Sequence, residues 1–137
     1  MNDSSLIKMI GITKRFQNVL ANDHVDFNLY AGEIHSLLGE NGAGKSTLMN
    51  ILVGMYQPDA GRIIVHGQKV KIGSPQNSLK LGIGMVYQHF SLIPNLTVIE
   101  NLILGFEGGI FLKIKQAERK LQDISKTYGL SINPYNK

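Results

Sequence analysis

Hydrophobic and polar positions change their period several times along the chain, and each change marks an element. Residues 6–12 (LIKMIGI) are apolar and rich in β-branched side chains, which predicts a strand. Residues 25–29 (VDFNL) alternate apolar with polar, the pattern of a strand with one face buried. Tyr30 to Glu33 reads as a turn, and 34–38 (IHSLL) as a short apolar strand running directly into Gly39. From Lys45 to Val53 (KSTLMNILV) the spacing is helical, and Gly54 stands where a helix should end. Residues 62–66 (RIIVH) predict a strand, paired as a hairpin with 69–72 across a turn at Gly67-Gln68. Ser74-Pro75 has the form of an N-cap followed by a first-turn proline, opening a short helix that Gly82 closes. Residues 83–87 (IGMVY) predict another strand, ending at Gln88. Thr97 and Glu100 have the spacing of a capping box and open a helix to about Leu104. Ile114, Ala117, Leu121, Ile124 and Tyr128 recur at steps of three and four, which predicts an amphipathic helix over 114–128 with Gly129 as its stop. Strands come first and β–loop–α units follow, so the fold class is α/β with an antiparallel start.

Composition narrows the function classes. A length of 137 residues allows one small domain. The 43% hydrophobic and 18% charged content excludes a disordered tail or a fibre. Cysteine is absent, which removes disulfides, thiolate metal sites and a cysteine nucleophile. The opening MNDSSL does not have the form of a signal peptide, and no apolar run approaches the ~18 residues that span a bilayer. A net charge of +4 could suggest nucleic acid, but its distribution weakens that reading. Residues 1–100 hold eight basic and seven acidic side chains, whereas 101–137 hold six and three, so most of the excess lies on one C-terminal helical segment.

Glycine is the outlier, at 15 residues, and part of that excess has a chemical purpose. Gly39 to Thr47 (GENGAGKST) fits G-x-x-x-x-G-K-[ST] through Gly39, Gly44, Lys45 and Ser46, after a predicted strand and at the start of a predicted helix. In such a loop the backbone N–H groups turn inward around phosphate oxygens and the helix N-terminus adds a favourable dipole. Lys45 then supplies a flexible positive charge to the β- and γ-phosphates, and Ser46 a hydroxyl for Mg²⁺. Glu40, Asn41, Gly42, Ala43 and Thr47 complete the loop, Glu40 and Asn41 through their backbone more than their side chains.

The surrounding residues resemble one branch of the phosphate-loop proteins. GENGAGKSTL followed by MNILVGMYQPDAGRIIVHG, and later by GIGMVYQHFSLIPNLTVIENLILG, is similar to the ATP-binding cassette family, in particular its importer ATPases for simple sugars or nucleosides. The resemblance runs from about Lys8 to Tyr128. It implies that Phe16 in ITKRF stacks on adenine, where an ordinary hairpin phenylalanine is the alternative. It implies that Gln88 in MVYQHF reaches Mg²⁺ and the attacking water, where a plain strand-end polar residue is the alternative. It also implies that Phe90 to Leu96 contacts a membrane permease. Lys45 and Gln88 are thus the candidate catalytic residues, Ser46 and Gln88 the candidate metal ligands, and ATP and Mg²⁺ the implied cofactors. The implied partners are a permease, a second ATP-binding domain closing over nucleotide and, indirectly, a substrate-binding protein, with no nucleic acid. The implied location is the cytoplasmic face of the membrane. His89 has no assigned role, and His24, His35 and His66 lack metal-ligand spacing.

Other family parts have no match in the sequence. Four apolar residues followed by Asp and Glu do not occur; the nearest run, LILGFE at 102–107, is broken by glycine and lacks the Asp. FEGGIF at 106–111 does not match the LSGGQ-like segment, and no switch histidine follows an acidic motif. By the family's order these parts come after the last helix. The resemblance therefore implies the N-terminal portion of a longer ATPase, with 1–90 as β-subdomain and phosphate-loop core and 91–137 as the start of a helical subdomain. Such a portion is expected to bind nucleotide without hydrolysing it, and to associate or dissolve poorly through an open apolar face. Two other classes remain open on the sequence: a soluble ATPase of the same family acting on nucleic acid or ribosomes, and another phosphate-loop enzyme such as a kinase or GTPase.

Overall fold

The computed structural model describes residues 5–88, 92–104 and 114–137. They fall into two compact units, divided between Val86 and Tyr87. The first unit is built on β1 (Ser5–Phe16) and β2 (Val19–Tyr30), an antiparallel hairpin turning at Gln17 and Asn18. β3 (Ala60–Val65) pairs with the other edge of β1, and β4 (Gln68–Val70) pairs with β3. The sheet order is β2-β1-β3-β4, antiparallel throughout. Helix α1 (Lys45–Leu52) buries Leu48, Ile51 and Leu52 in one core with Ile7, Met9, Ile12, Ile63 and Val65. Ile12 and Ile51 are fully buried, so cutting either to alanine would cost about 2–5 kcal/mol. Ile7, Met9 and Ile12 face inward although their spacing changes from two to three. A register shift between Met9 and Ile12, where the Gly11 N–H donates to Asp26 Oδ1 at 2.6 Å, absorbs the extra residue.

Each helix lies where the sequence predicts. Ser74 caps α2 (Pro75–Lys80) by accepting from the Asn77 N–H, with Pro75 in the first turn. In the second unit Thr97 and Glu100 form the capping box of α3 (Val98–Ile103), and α4 (Ile114–Tyr128) spans the predicted range. Ile99 and Ile103 of α3 pack with Ala117 and Leu121 of α4. The backbone at 132–136 reaches this pair: the Val98 and Ile99 N–H groups donate to the carbonyls of Asn136 and Pro134 at 2.8 and 2.9 Å.

The strands depart from the sequence reading in three ways. The β3–β4 hairpin turns at His66 and Gly67, one residue earlier than predicted, so β3 ends at Val65 and β4 starts at Gln68. β1 and β2 each extend to twelve residues, because hairpin pairing satisfies the backbone of Lys14, Arg15 and Val19, where side-chain alternation has already faded. The predicted strands at 34–38 and 83–87 do not form. An apolar run becomes a buried strand only between ladder partners, and among the described residues neither run has one. Ile34 is 98% exposed, Leu38 89% and Val86 83%. His89, the start of the Phe90–Leu96 stretch, and the parts of LILGFE and FEGGIF beyond Leu104 lie outside the described residues.

Candidate functional site

Gly44 sets the entry to α1. It occupies the N-cap position with φ 84° and ψ 2°, and no side chain caps the helix behind it. Both its backbone and its surroundings demand glycine: a Cβ here would lie 2.1 Å from the Ala21 carbonyl oxygen on β2. Asn22, buried beside it, donates from Nδ2 to the Gly44 carbonyl at 3.2 Å and clasps the loop to the strand. The sequence reading missed Asn22, a polar residue in a strand that carries no local signal.

A helix start leaves up to four N–H groups without an intrahelical partner. α1 places no acidic side chain in its first turn to take them. Its Lys45 side chain folds back over the loop, and Nζ donates to the carbonyls of Gly39 and Glu40 at 2.7 and 2.6 Å. Both partners are neutral backbone carbonyls. The Ala43 N–H closes the turn onto the Glu40 carbonyl at 3.2 Å. Ser46 is exposed, Thr47 half-buried, and Gly39, Glu40, Asn41, Gly42 and Ala43 form the exposed rim. Uncapped helical amides, an uncompensated ammonium and an accessible hydroxyl are therefore brought together at one place. That donor set fits an anionic oxygen cluster and, at the hydroxyl, a hard cation.

Phe16 ends β1 in the same unit, 38% exposed. Its ring meets Tyr56 edge-to-face, with centroids 5.1 Å apart and planes at 74°. Lys14 Nζ lies 5.3 Å from the Phe16 centroid and is held at 3.0 Å by Asp59 Oδ1. The other Asp59 oxygen accepts from the Arg15 N–H at 2.7 Å. That amide first, and Lys14 second, hold the Asp59 carboxyl below its ordinary value. Tyr56 and Asp59 were also missed in the sequence, because both lie some 40 residues from the hairpin that they touch. Gly54 turns the chain out of α1 at φ 79°, where a Cβ would come within 2.7 Å of the Ser74 carbonyl.

Gln88 is exposed near the start of the second unit. In that unit Asn101 organises the 93–97 turn: its Oδ1 accepts from the Ile93 N–H, and its Nδ2 donates to the carbonyls of Ile93, Leu96 and Thr97. Leu92, Ile93, Pro94, Leu96 and Leu102 line an open apolar groove of about 550 Å³ beside it. The Thr97 amide and hydroxyl hold the Glu100 carboxyl below its ordinary value. Among the described residues no group of three or more His, Asp and Glu side chains could hold a metal, and no helix is long and apolar enough to cross a membrane.

A family profile for the ABC transporter matches residues 22–136, from β2 through the phosphate-binding-type loop to the C-terminal segment. The chain belongs to the ABC transporter family. Within that family it is 54% identical over 131 residues to a guanosine import ATP-binding protein of Bacillus subtilis, covering 94% of this chain and 26% of that protein. It is 52% identical over 136 residues to a nucleoside import ATP-binding protein of Lactococcus lactis, covering 98% and 27%. The chain thus spans about a quarter of the length of these relatives. Among solved structures it matches a nucleotide-free ATP-binding cassette from an ABC transporter with a TM-score of 0.77 and 25% identity, over 97% of this chain and 57% of that one. A dimeric bacterial ABC transporter cassette matches with a TM-score of 0.67 and 30% identity, over 95% and 60%. The α/β fold with its antiparallel N-terminal sheet is therefore that of the ABC cassette.

Proposed function

We propose that this chain supplies the ATP-binding end of an importer ATPase that takes up a nucleoside or sugar. The observation that carries it is the Lys45 ammonium held over an uncapped helix start. Gly39 to Thr47 cradle the triphosphate: backbone amides take its oxygens and Lys45 binds the β- and γ-phosphates. Phe16 receives adenine. Ser46 and, in the whole ATPase, Gln88 would be the residues to hold Mg²⁺, which would offset phosphate charge when bound, and Gln88 would also orient the attacking water. The names of the relatives above favour nucleosides among the substrates.

In the whole protein, the runs at 34–38 and 83–87 are central strands completed by further chain, and 1–90 and 91–137 are the phosphate-loop core and the start of the helical subdomain. The Phe90–Leu96 stretch docks on a permease at the cytoplasmic face of the membrane. A second cassette closes over the nucleotide, and a substrate-binding protein delivers cargo to the permease. Without an apolar run ending in Asp-Glu, the 137-residue chain binds nucleotide and does not turn it over.

Calorimetric titration of the chain with Mg-ATP, alongside a phosphate-release assay, tests this. Saturable binding that weakens about 10- to 100-fold in Lys45→Ala, as loss of a charge-assisted contact predicts, supports it. Equal binding by the variant would sink the assignment of Lys45. Turnover on the order of 1 s⁻¹ would sink the claim of binding without hydrolysis.

A further inference from the structure

The proposed function gives the base to Phe16 alone, yet Phe16 is poorly placed to act alone. It stands beside a two-residue turn at the end of a hairpin, more than one-third exposed. An unsupported ring there would lose side-chain freedom on receiving a base, and that loss weakens binding. Two neighbours restrict it beforehand: the edge-to-face contact with Tyr56 and the Lys14 ammonium tied to Asp59.

Tyr56 is itself firmly mounted. The Met55 and Tyr56 N–H groups both donate to the Asn50 carbonyl of α1, at 2.9 and 3.2 Å. Next in the chain, Gln57 Nε2 donates to the Ile72 carbonyl at 2.7 Å. Two residues further on, the Asp59 N–H returns to the Thr13 carbonyl on β1 at 2.8 Å. The 55–59 segment is therefore a strap, fastened at one end to α1 and at the other to the strand that carries Phe16. α1 begins with Lys45 and Ser46, so the same strap joins the phosphate end of the site to its base end.

We propose that Tyr56 is a positioning residue for the nucleobase: it holds the Phe16 ring in the orientation that receives a planar base, and fixes that orientation relative to α1. This rests on the reading of Phe16 as the base platform. Tyr56 acts through Phe16, so it strengthens binding of a ligand with a base and does nothing for a bare polyphosphate.

The test is calorimetric affinity of the full 137-residue chain for Mg-ATP and for Mg-tripolyphosphate, in wild type, Tyr56→Ala, Tyr56→Leu, Tyr56→Phe and Phe16→Ala. Tyr56→Ala is expected to weaken ATP about 2- to 10-fold, the range of one aromatic pair, and to leave tripolyphosphate unchanged. Tyr56→Leu, which keeps apolar bulk under the hairpin, should give the same split, and Tyr56→Phe should restore wild-type values. If Tyr56→Ala and Tyr56→Leu weaken both ligands alike, or neither, the proposal is overturned and Tyr56 is only a packing residue. If Phe16→Ala leaves ATP affinity intact, the base platform itself is wrong and this proposal falls with it. A loss in Phe16→Ala without one in Tyr56→Leu keeps the platform and removes Tyr56.

Discussion

The two ends of the candidate site are built from different materials. The proposed phosphate end is backbone: helical amides, two carbonyls that hold Lys45, and a glycine pressed against β2. The proposed base end is side chain: Phe16, Tyr56, Lys14 and Asp59, drawn from a hairpin and from the strap after α1. Backbone geometry is set by the fold, so the phosphate end tolerates almost no change at its hinge and demands little of the residues on its rim. Side-chain geometry is set by pairwise contacts, so the base end can be taken apart one group at a time.

Substitutions can break that contrast, beginning with the largest effect. Gly44→Ala forces a Cβ to 2.1 Å from the Ala21 carbonyl on a left-handed backbone, and should destabilise the first unit by about 3 kcal/mol or more in denaturant unfolding. A fully stable Gly44→Ala that still binds tripolyphosphate would show that the phosphate end is not held by its backbone. Phe16→Ala should weaken ATP by about 1–3 kcal/mol, the value of one base stacked on an aromatic ring, with Phe16→Tyr close to wild type. An equal loss of tripolyphosphate binding would mean that the two ends are not separable.

Thr97→Ala sharpens the comparison from outside the site. α3 is capped by a side chain where α1 is not, so this change should cost about 1 kcal/mol in thermal unfolding and leave nucleotide affinity untouched. The smallest effect is that of pH on the base end. Asp59 titrates below its ordinary value of 3.8, so the stability it contributes is complete above that value and fades as pH falls through the lower native one. The melting temperatures of wild type and Asp59→Asn should differ by a constant, small amount near neutrality and converge below about pH 4. A gap that instead widened in acid would reverse the sign assigned to the Lys14–Asp59 link.

How legible each part was follows from the same contrast. The loop and helix of the proposed phosphate end are legible because their demands are local: Gly44, Lys45 and Ser46 are consecutive, and the helix they open forms where its own spacing predicts. The capping residues Ser74 and Thr97 were readable for the same reason, each acting within three residues of itself. The proposed base end carries less local signal. Phe16 came from a resemblance, while Tyr56, Asp59 and Asn22 act across the fold and leave no periodic trace in the chain. Strand extent failed in both directions. Hairpin pairing carried β1 and β2 past the end of their apolar alternation, whereas 34–38 and 83–87 have the right composition and no ladder partner among the described residues.

The Lys45 clamp bears on speed as well as on strength. By gripping two carbonyls of its own loop, the side chain has already surrendered its torsional freedom before any anion arrives. Two of its three N–H donors are spent on those carbonyls, so a polyphosphate that takes both β- and γ-oxygens from Lys45 would have to exchange at least one of them, and its capture would include a local side-chain step as well as diffusive encounter.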